Sequence, residues 1–136
     1  LENWLNSLRY GQLKRVTIQF PDPWFKRRHF KRRVLQPSLL ISIAKSFITG
    51  SELFIQSDIL SLIEPMIYLI DSSECFIRKK INNDEWLSDN PFSVMTEREN
   101  YVKNNQLPVY RALYNRNSKD VPEISFLENI YNDHFI

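Results

Sequence analysis

Apolar and polar positions change their spacing several times along the chain, and each change marks a structural element. Residues 13–20 (Leu-Lys-Arg-Val-Thr-Ile-Gln-Phe) are rich in β-branched and aromatic types and stop at Pro21, which predicts a strand. Leu39, Leu40, Ile43, Ala44 and Phe47 then recur at helical spacing, with Pro37 suited to the first turn and Gly50 to the close. Residues 51–56, holding Leu53, Phe54 and Ile55, form the short apolar run of a buried strand. Beyond them Ile59, Leu62, Ile63, Met66, Ile67 and Ile70 fit one helical face. Asp58 is placed to cap that helix, and Pro65 is expected to kink it or to end its first part.

The second half continues the alternation. Residues 74–79 read as a strand and 82–90 as a polar loop. Thr96-Glu97-Arg98-Glu99 reads as a helix start, since Thr can cap and acids favour the positive helix end. Residues 108–116 make a final strand. Strand, helix, strand, helix, strand is the order of an open α/β sheet. Residues 118–136 are mixed in character and receive no role.

Composition changes this picture little. At 136 residues, 43% hydrophobic and 13% aromatic, the chain has the size and apolar content of one packed core. No run is long enough for a spanning helix and no signal-peptide pattern opens it, so a soluble protein with no membrane partner is expected. One cysteine, Cys75, excludes an internal disulfide and suggests a reducing compartment. With only His29 and His134 beside it, no zinc site or other metal is expected. Cys75 is expected in the core, and Trp4 and Trp86 as packing residues.

Charge changes the picture more. The net charge is +2, yet six cations (Lys26, Arg27, Arg28, Lys31, Arg32, Arg33) fall within one short acid-free stretch, so the rest of the chain is mildly acidic. A concentrated cluster on such a body points to one phosphate-facing site. Directly before it, Asp22 stands between Pro21 and Pro23 at the carboxyl end of a predicted strand, where open α/β sheets bind ligands. The prolines would aim the carboxylate; the plainer alternative is a turn hydrogen bond. Trp24, Phe25 and Phe30 mix flat side chains with the cations, as stacking on bases requires, although a charge run can equally be a solvated face. With only Gly11 and Gly50 available, no glycine-rich nucleotide-cradling turn is present.

Phe20-Pro21-Asp22-Pro23-Trp24-Phe25-Lys26-Arg27-Arg28-His29-Phe30-Lys31-Arg32-Arg33 resembles the signature of the bacterial tRNA (guanine-N7)-methyltransferase family. Gln56-Ser57-Asp58, then Asn90-Pro91-Phe92 with Thr96 to Glu99, then Pro108-Val109-Tyr110-Arg111 follow in the family's order. The resemblance implies a partial Rossmann-like S-adenosylmethionine-dependent methyltransferase fold, with an open, mostly parallel sheet and helices on both faces. It implies that residues 1–117 are the carboxyl-terminal part of one methyltransferase domain, 118–136 being a tail. The part that holds most of the methyl donor is then expected outside this chain, which alone should bind S-adenosyl-L-methionine poorly.

The resemblance also implies roles. Asp22 corresponds to the family's active-site aspartate, which also lies against the donor. Lys26, Asp58, Thr96, Glu97, Arg98 and Glu99 correspond to substrate contacts, and Arg28, His29, Phe30, Lys31, Arg32 and Arg33 to the RNA-contacting stretch. The partner is tRNA, and the implied compartment is the cytoplasm or an organelle stroma or matrix of bacterial descent. Guanine N7 carries an in-plane lone pair and attacks a sulfonium methyl without deprotonation, so positioning is most of the task. A carboxylate such as Asp22 or Asp58 can accept hydrogen bonds from guanine N1-H and the exocyclic amine and favour the developing positive charge. Two other readings compete: a non-catalytic basic RNA-binding module derived from this fold, and a structural domain with a basic surface.

Overall fold

The computed structural model describes residues 2–135. Four strands, β1 (Arg15–Gln19), β2 (Glu52–Ser57), β3 (Phe76–Lys79) and β4 (Tyr110–Arg116), form one sheet in the order β1-β2-β4-β3. β1 and β2 pair in parallel, and β4 runs antiparallel between β2 and β3. Three of the four strands therefore point the same way, but β4 lies between two of them, so the sheet is mixed, with one parallel and two antiparallel pairs instead of the mostly parallel pairing expected.

Side-chain alternation gives the sheet two different faces. Ile18, Leu53, Ile55, Ala112 and Tyr114 face the main core, which α1 (Glu2–Ser7), α2 (Pro37–Ser46), α3 (Leu60–Ser73) and α5 (Ile124–Phe135) close with Leu5, Leu40, Ile43, Ile63, Ile70 and Leu127. Phe54 and Leu113 face the other way, under Leu87 and Phe92. On that side α4 (Glu97–Asn104) sets Glu99 against Gln56 and Arg111. Cys75 is fully buried, as expected.

Helix ends follow local chemistry, with differences from expectation. Pro37 opens α2, but the helix stops at Ser46, where Phe47 turns extended and the Gly11 N–H takes the Ser46 carbonyl. Gly50 instead sits at φ 93° in the turn into β2, a conformation that favours glycine. Asp58 does not cap α3: the cap position is Ile59, whose N–H donates to Ser57 Oγ. α3 runs through Pro65 as one element, since the carbonyl that proline leaves free belongs to exposed Ser61. Thr96 does cap α4, its Oγ1 accepting from Glu99 N at 3.0 Å. Trp4 is 56% exposed rather than packed, and the tail that received no role holds α5, with Leu127 and Tyr131 buried.

Candidate active site

The carboxyl ends of β1 and β2 lie side by side in register, Gln19 opposite Gln56, so the segments beginning at Phe20 and Ser57 leave from one rim. Pairing reaches one residue further, with Phe20 N–H donating to the Gln56 carbonyl at 2.8 Å. Phe20 (φ 48°) and Trp24 (φ 43°) then both take left-handed backbone, unfavourable for bulky aromatic residues. These two turns bracket Pro21-Asp22-Pro23 and leave Asp22 exposed. Asp22 takes part in none of the four ion pairs found among the described residues. It borders an open, mostly apolar cavity of about 530 Å³, whose lining includes Val16, Ile18, Trp24, Arg32 and Val34.

Behind the bracket the basic run winds into a short 3-10 helix, Arg27–Arg32, with no buried residue and no side-chain N-cap. Lys26, Arg27, Arg28, Lys31 and Arg32 are exposed and also stay out of those ion pairs. Trp24 organises the turn from one side: His29 packs edge-on at 5.7 Å, and the Arg32 guanidinium stands 5.1 Å above its ring. Arg33 differs from the other cations. Its Nε donates to the Pro23 carbonyl at 2.9 Å and its guanidinium stacks on Phe30 at 3.9 Å. Burial draws Arg33 below the usual guanidinium pKa, with the nearby Tyr131 acting the other way.

On the neighbouring strand end Asp58 pairs with Arg98 at 2.7 Å, so two expected substrate contacts meet each other. Arg98 also lies over Tyr101 at 5.0 Å. Glu97 is exposed, whereas Glu99 is wholly buried in a polar cluster. Its Oε1 accepts from Asn90 Nδ2 at 2.8 Å and Gln56 Nε2 at 3.2 Å, and its Oε2 from Arg111 at 3.0 Å. Arg111 donates also to Gln56 Oε1 and the Ser88 carbonyl, and Gln56 Nε2 donates to Gln19 Oε1 at 2.7 Å. Burial would raise the Glu99 pKa, but the hydrogen bonds from Asn90, Gln56 and Arg111, with the Arg111 charge, hold it below the ordinary glutamate value.

The structure thus joins Asp58 to Arg98, and Glu99 to Gln56 and Arg111, at the rim that also carries Asp22. No hydrogen bond or ion pair among the described residues links the basic turn to residues 96–99. Sequence reasoning gave no role to Gln19 and none of its own to Arg111. The signal for Arg111 was a charged residue inside the apolar alternation of a central strand, which demands a buried partner. Tyr131, whose hydroxyl donates to the Phe30 carbonyl at 3.1 Å, was also missed.

Residues 1–112 match a family model described as "Putative methyltransferase". The chain is 58% identical over 131 residues to a tRNA (guanine-N(7)-)-methyltransferase of Prochlorococcus marinus (strain MIT 9313), covering 96% of this chain and 56% of that protein. It is 54% identical over 129 residues to a protein of the same name from Parasynechococcus marenigrum (strain WH8102), covering 95% and 55%. The chain spans about half the length of the curated relatives it matches.

Proposed function

The chain belongs to the bacterial-type tRNA (guanine-N7)-methyltransferase family, and from that premise we propose that it forms the substrate side of an enzyme that methylates guanine N7 in the tRNA variable loop. The observation that carries the reading is one connected unit: an exposed Asp22 on a strained, proline-flanked bracket, tied through Arg33 and Pro23 to a turn whose cations form no ion pair among the described residues. A carboxylate and a phosphate-binding surface fixed to each other can present one base of a docked RNA to one site.

In this reading Arg28, Lys31 and Arg32 hold backbone phosphates, while His29 and Phe30 shape the turn that presents them. Lys26 faces the substrate beside the bracket. Asp22 accepts hydrogen bonds from the guanine edge and favours the positive charge that grows on the purine as N7 is alkylated. Asp58 and Arg98 complete the pocket from β2 and α4, with Thr96 and Glu97 alongside and Glu99 supporting the segment from beneath.

S-adenosyl-L-methionine would supply the methyl group as an electrophilic sulfonium carbon. The apolar wall of Val16, Ile18 and Val34 next to Asp22 fits one side of such a molecule. Neither glycine stands at a strand-end turn on the rim, so these residues provide an edge of a donor site and not its cradle. Residues 1–117 are accordingly read as the carboxyl-terminal part of one methyltransferase domain. No helix among the described residues is long and apolar enough to cross a membrane, and a cytoplasmic or organellar tRNA-modifying enzyme accords with that.

The test is incubation of the full-length protein with unmodified tRNA and labelled S-adenosyl-L-methionine, followed by mapping of the product. N7-methylguanine in the variable loop is expected. tRNA binding without methyl transfer would favour the RNA-binding module instead.

A further inference from the structure

The 3-10 turn at Arg27–Arg32 has little reason to hold its shape alone. It is a single short segment in the less favourable helical geometry, crowded with like charges and without a buried residue. At its ends, His29 N–H donates to the Lys26 carbonyl and Arg33 N–H to the Phe30 carbonyl, beside the bonds within the turn itself. Further bonds reach it from outside. Gln36 Nε2 lies within hydrogen-bond distance of the Phe30 carbonyl (3.0 Å), the Arg33 carbonyl (2.9 Å) and the Tyr131 hydroxyl (3.2 Å), which share its two N–H groups.

Tyr131 completes the arrangement. It is 6% exposed on α5, and its hydroxyl donates to the same Phe30 carbonyl at 3.1 Å. Three donors, Arg33 N–H, Gln36 and Tyr131, therefore converge on one carbonyl at the end of the turn. From there Arg33 carries the constraint back to the bracket, stacking on Phe30 and donating to the Pro23 carbonyl beside Asp22. A continuous path of contacts runs from α5, about a hundred residues away in sequence, to the Pro23 carbonyl next to Asp22.

We propose that Tyr131 and Gln36 are positioning residues for RNA binding, a clasp by which α5 holds the cation-bearing turn in register with Asp22. The inference rests on the functional reading above. Phosphate contacts made by a preformed turn avoid the ordering cost that a loose one would incur on binding, so loss of the clasp weakens tRNA binding without removing a single charge. The tail helix thereby has a part in substrate recognition while touching neither base nor donor.

The experiment compares Tyr131→Phe and Gln36→Met with the unaltered full-length protein. Both substitutions keep side-chain bulk and remove the polar atoms of the clasp. The KM for unmodified tRNA is expected to rise about three- to tenfold, the scale of one or two net hydrogen bonds, with kcat at saturating tRNA and the KM for S-adenosyl-L-methionine unchanged. A merely structural role would lower the folded fraction, and with it kcat, and leave the KM for tRNA alone. A tRNA KM within twofold of the unaltered protein in both variants would overturn the clasp while leaving the functional reading intact. Should the unaltered protein form no N7-methylguanine, that reading fails by itself. Direct titration with tRNA then decides the clasp: weaker binding by both variants supports it, and unchanged binding overturns it. If Tyr131→Phe does not fold, Gln36→Met is read alone by the same criteria.

Discussion

The basic turn at Arg27–Arg32 and the cluster around Glu99 stand at the same end of the sheet and are both rich in charge, yet they are held in opposite ways. In the cluster every charged atom is matched: Glu99 receives four hydrogen bonds from three residues, and Arg111 donates to Gln56, Ser88 and Glu99. In the turn most cations face water without an acidic partner among the described residues, and bonds from Gln36 and Tyr131 go to backbone carbonyls instead of to the charges. Buried charge must be paired or the fold suffers, whereas exposed charge is free to meet a ligand. The first region uses its charges for shape; the second leaves them open to a ligand.

The comparison breaks most sharply at Arg111. Arg111→Met would leave the Glu99 carboxylate buried beside an apolar chain, and a loss of about 3–5 kcal/mol is expected, read as a lowered denaturant midpoint. A loss below about 1 kcal/mol would mean that the cluster is not a structural keystone. Asp22→Asn is the opposite kind of change. Because Asp22 is exposed and in no ion pair among the described residues, the change should alter the melting temperature negligibly while turnover of the full-length protein falls about a hundredfold. Normal turnover in that variant would remove Asp22 from the chemistry.

Sequence pattern reached the two regions unequally, for physical reasons. The strands, Pro37 at the head of α2 and the Thr96 cap were legible because they depend on local spacing and on residues within one turn. The bracket was legible for the same reason, since two prolines restrict their own neighbours. The exposed cations were visible as an uninterrupted run. The Glu99 cluster was not, because its members come from β1, β2, β4, α4 and the loop before it, and only the sheet order brings Gln19, Gln56 and Arg111 into line. Asp58 shows the limit of local rules: its position suggested a cap, but Ser57 supplies the bond and Arg98, 40 residues on, takes the carboxylate. Tyr131 was hidden for a similar reason, as its partners lie 95 and 101 residues earlier.

A gentler probe of the cluster is pH. Glu99 has a depressed pKa in the folded protein, so its contribution is fully present above the ordinary glutamate value of 4.5 and is lost as pH falls below it toward the folded value. Stability measured between about pH 6 and 3 should therefore fall more steeply in the unaltered protein than in Glu99→Gln, whose side chain has no proton to gain. Parallel curves would show that the cluster is not the source of the acid sensitivity.

The smallest effect belongs to the turn, and its smallness is informative. Arg32→Ala removes an exposed cation whose recorded contact is the Trp24 ring, so stability should stay within about 0.5 kcal/mol. Binding of tRNA should weaken nevertheless, and by an amount that depends on salt. If Arg32 neutralises one phosphate, the slope of log K against log salt becomes shallower by roughly 0.7–0.9. The same measurement on Tyr131→Phe separates charge from shape. That variant retains every cation, so its line should lie below that of the unaltered protein at every salt concentration and run nearly parallel to it. A shallower slope in Tyr131→Phe would mean that the turn, once unclasped, no longer places its cations against phosphate at all.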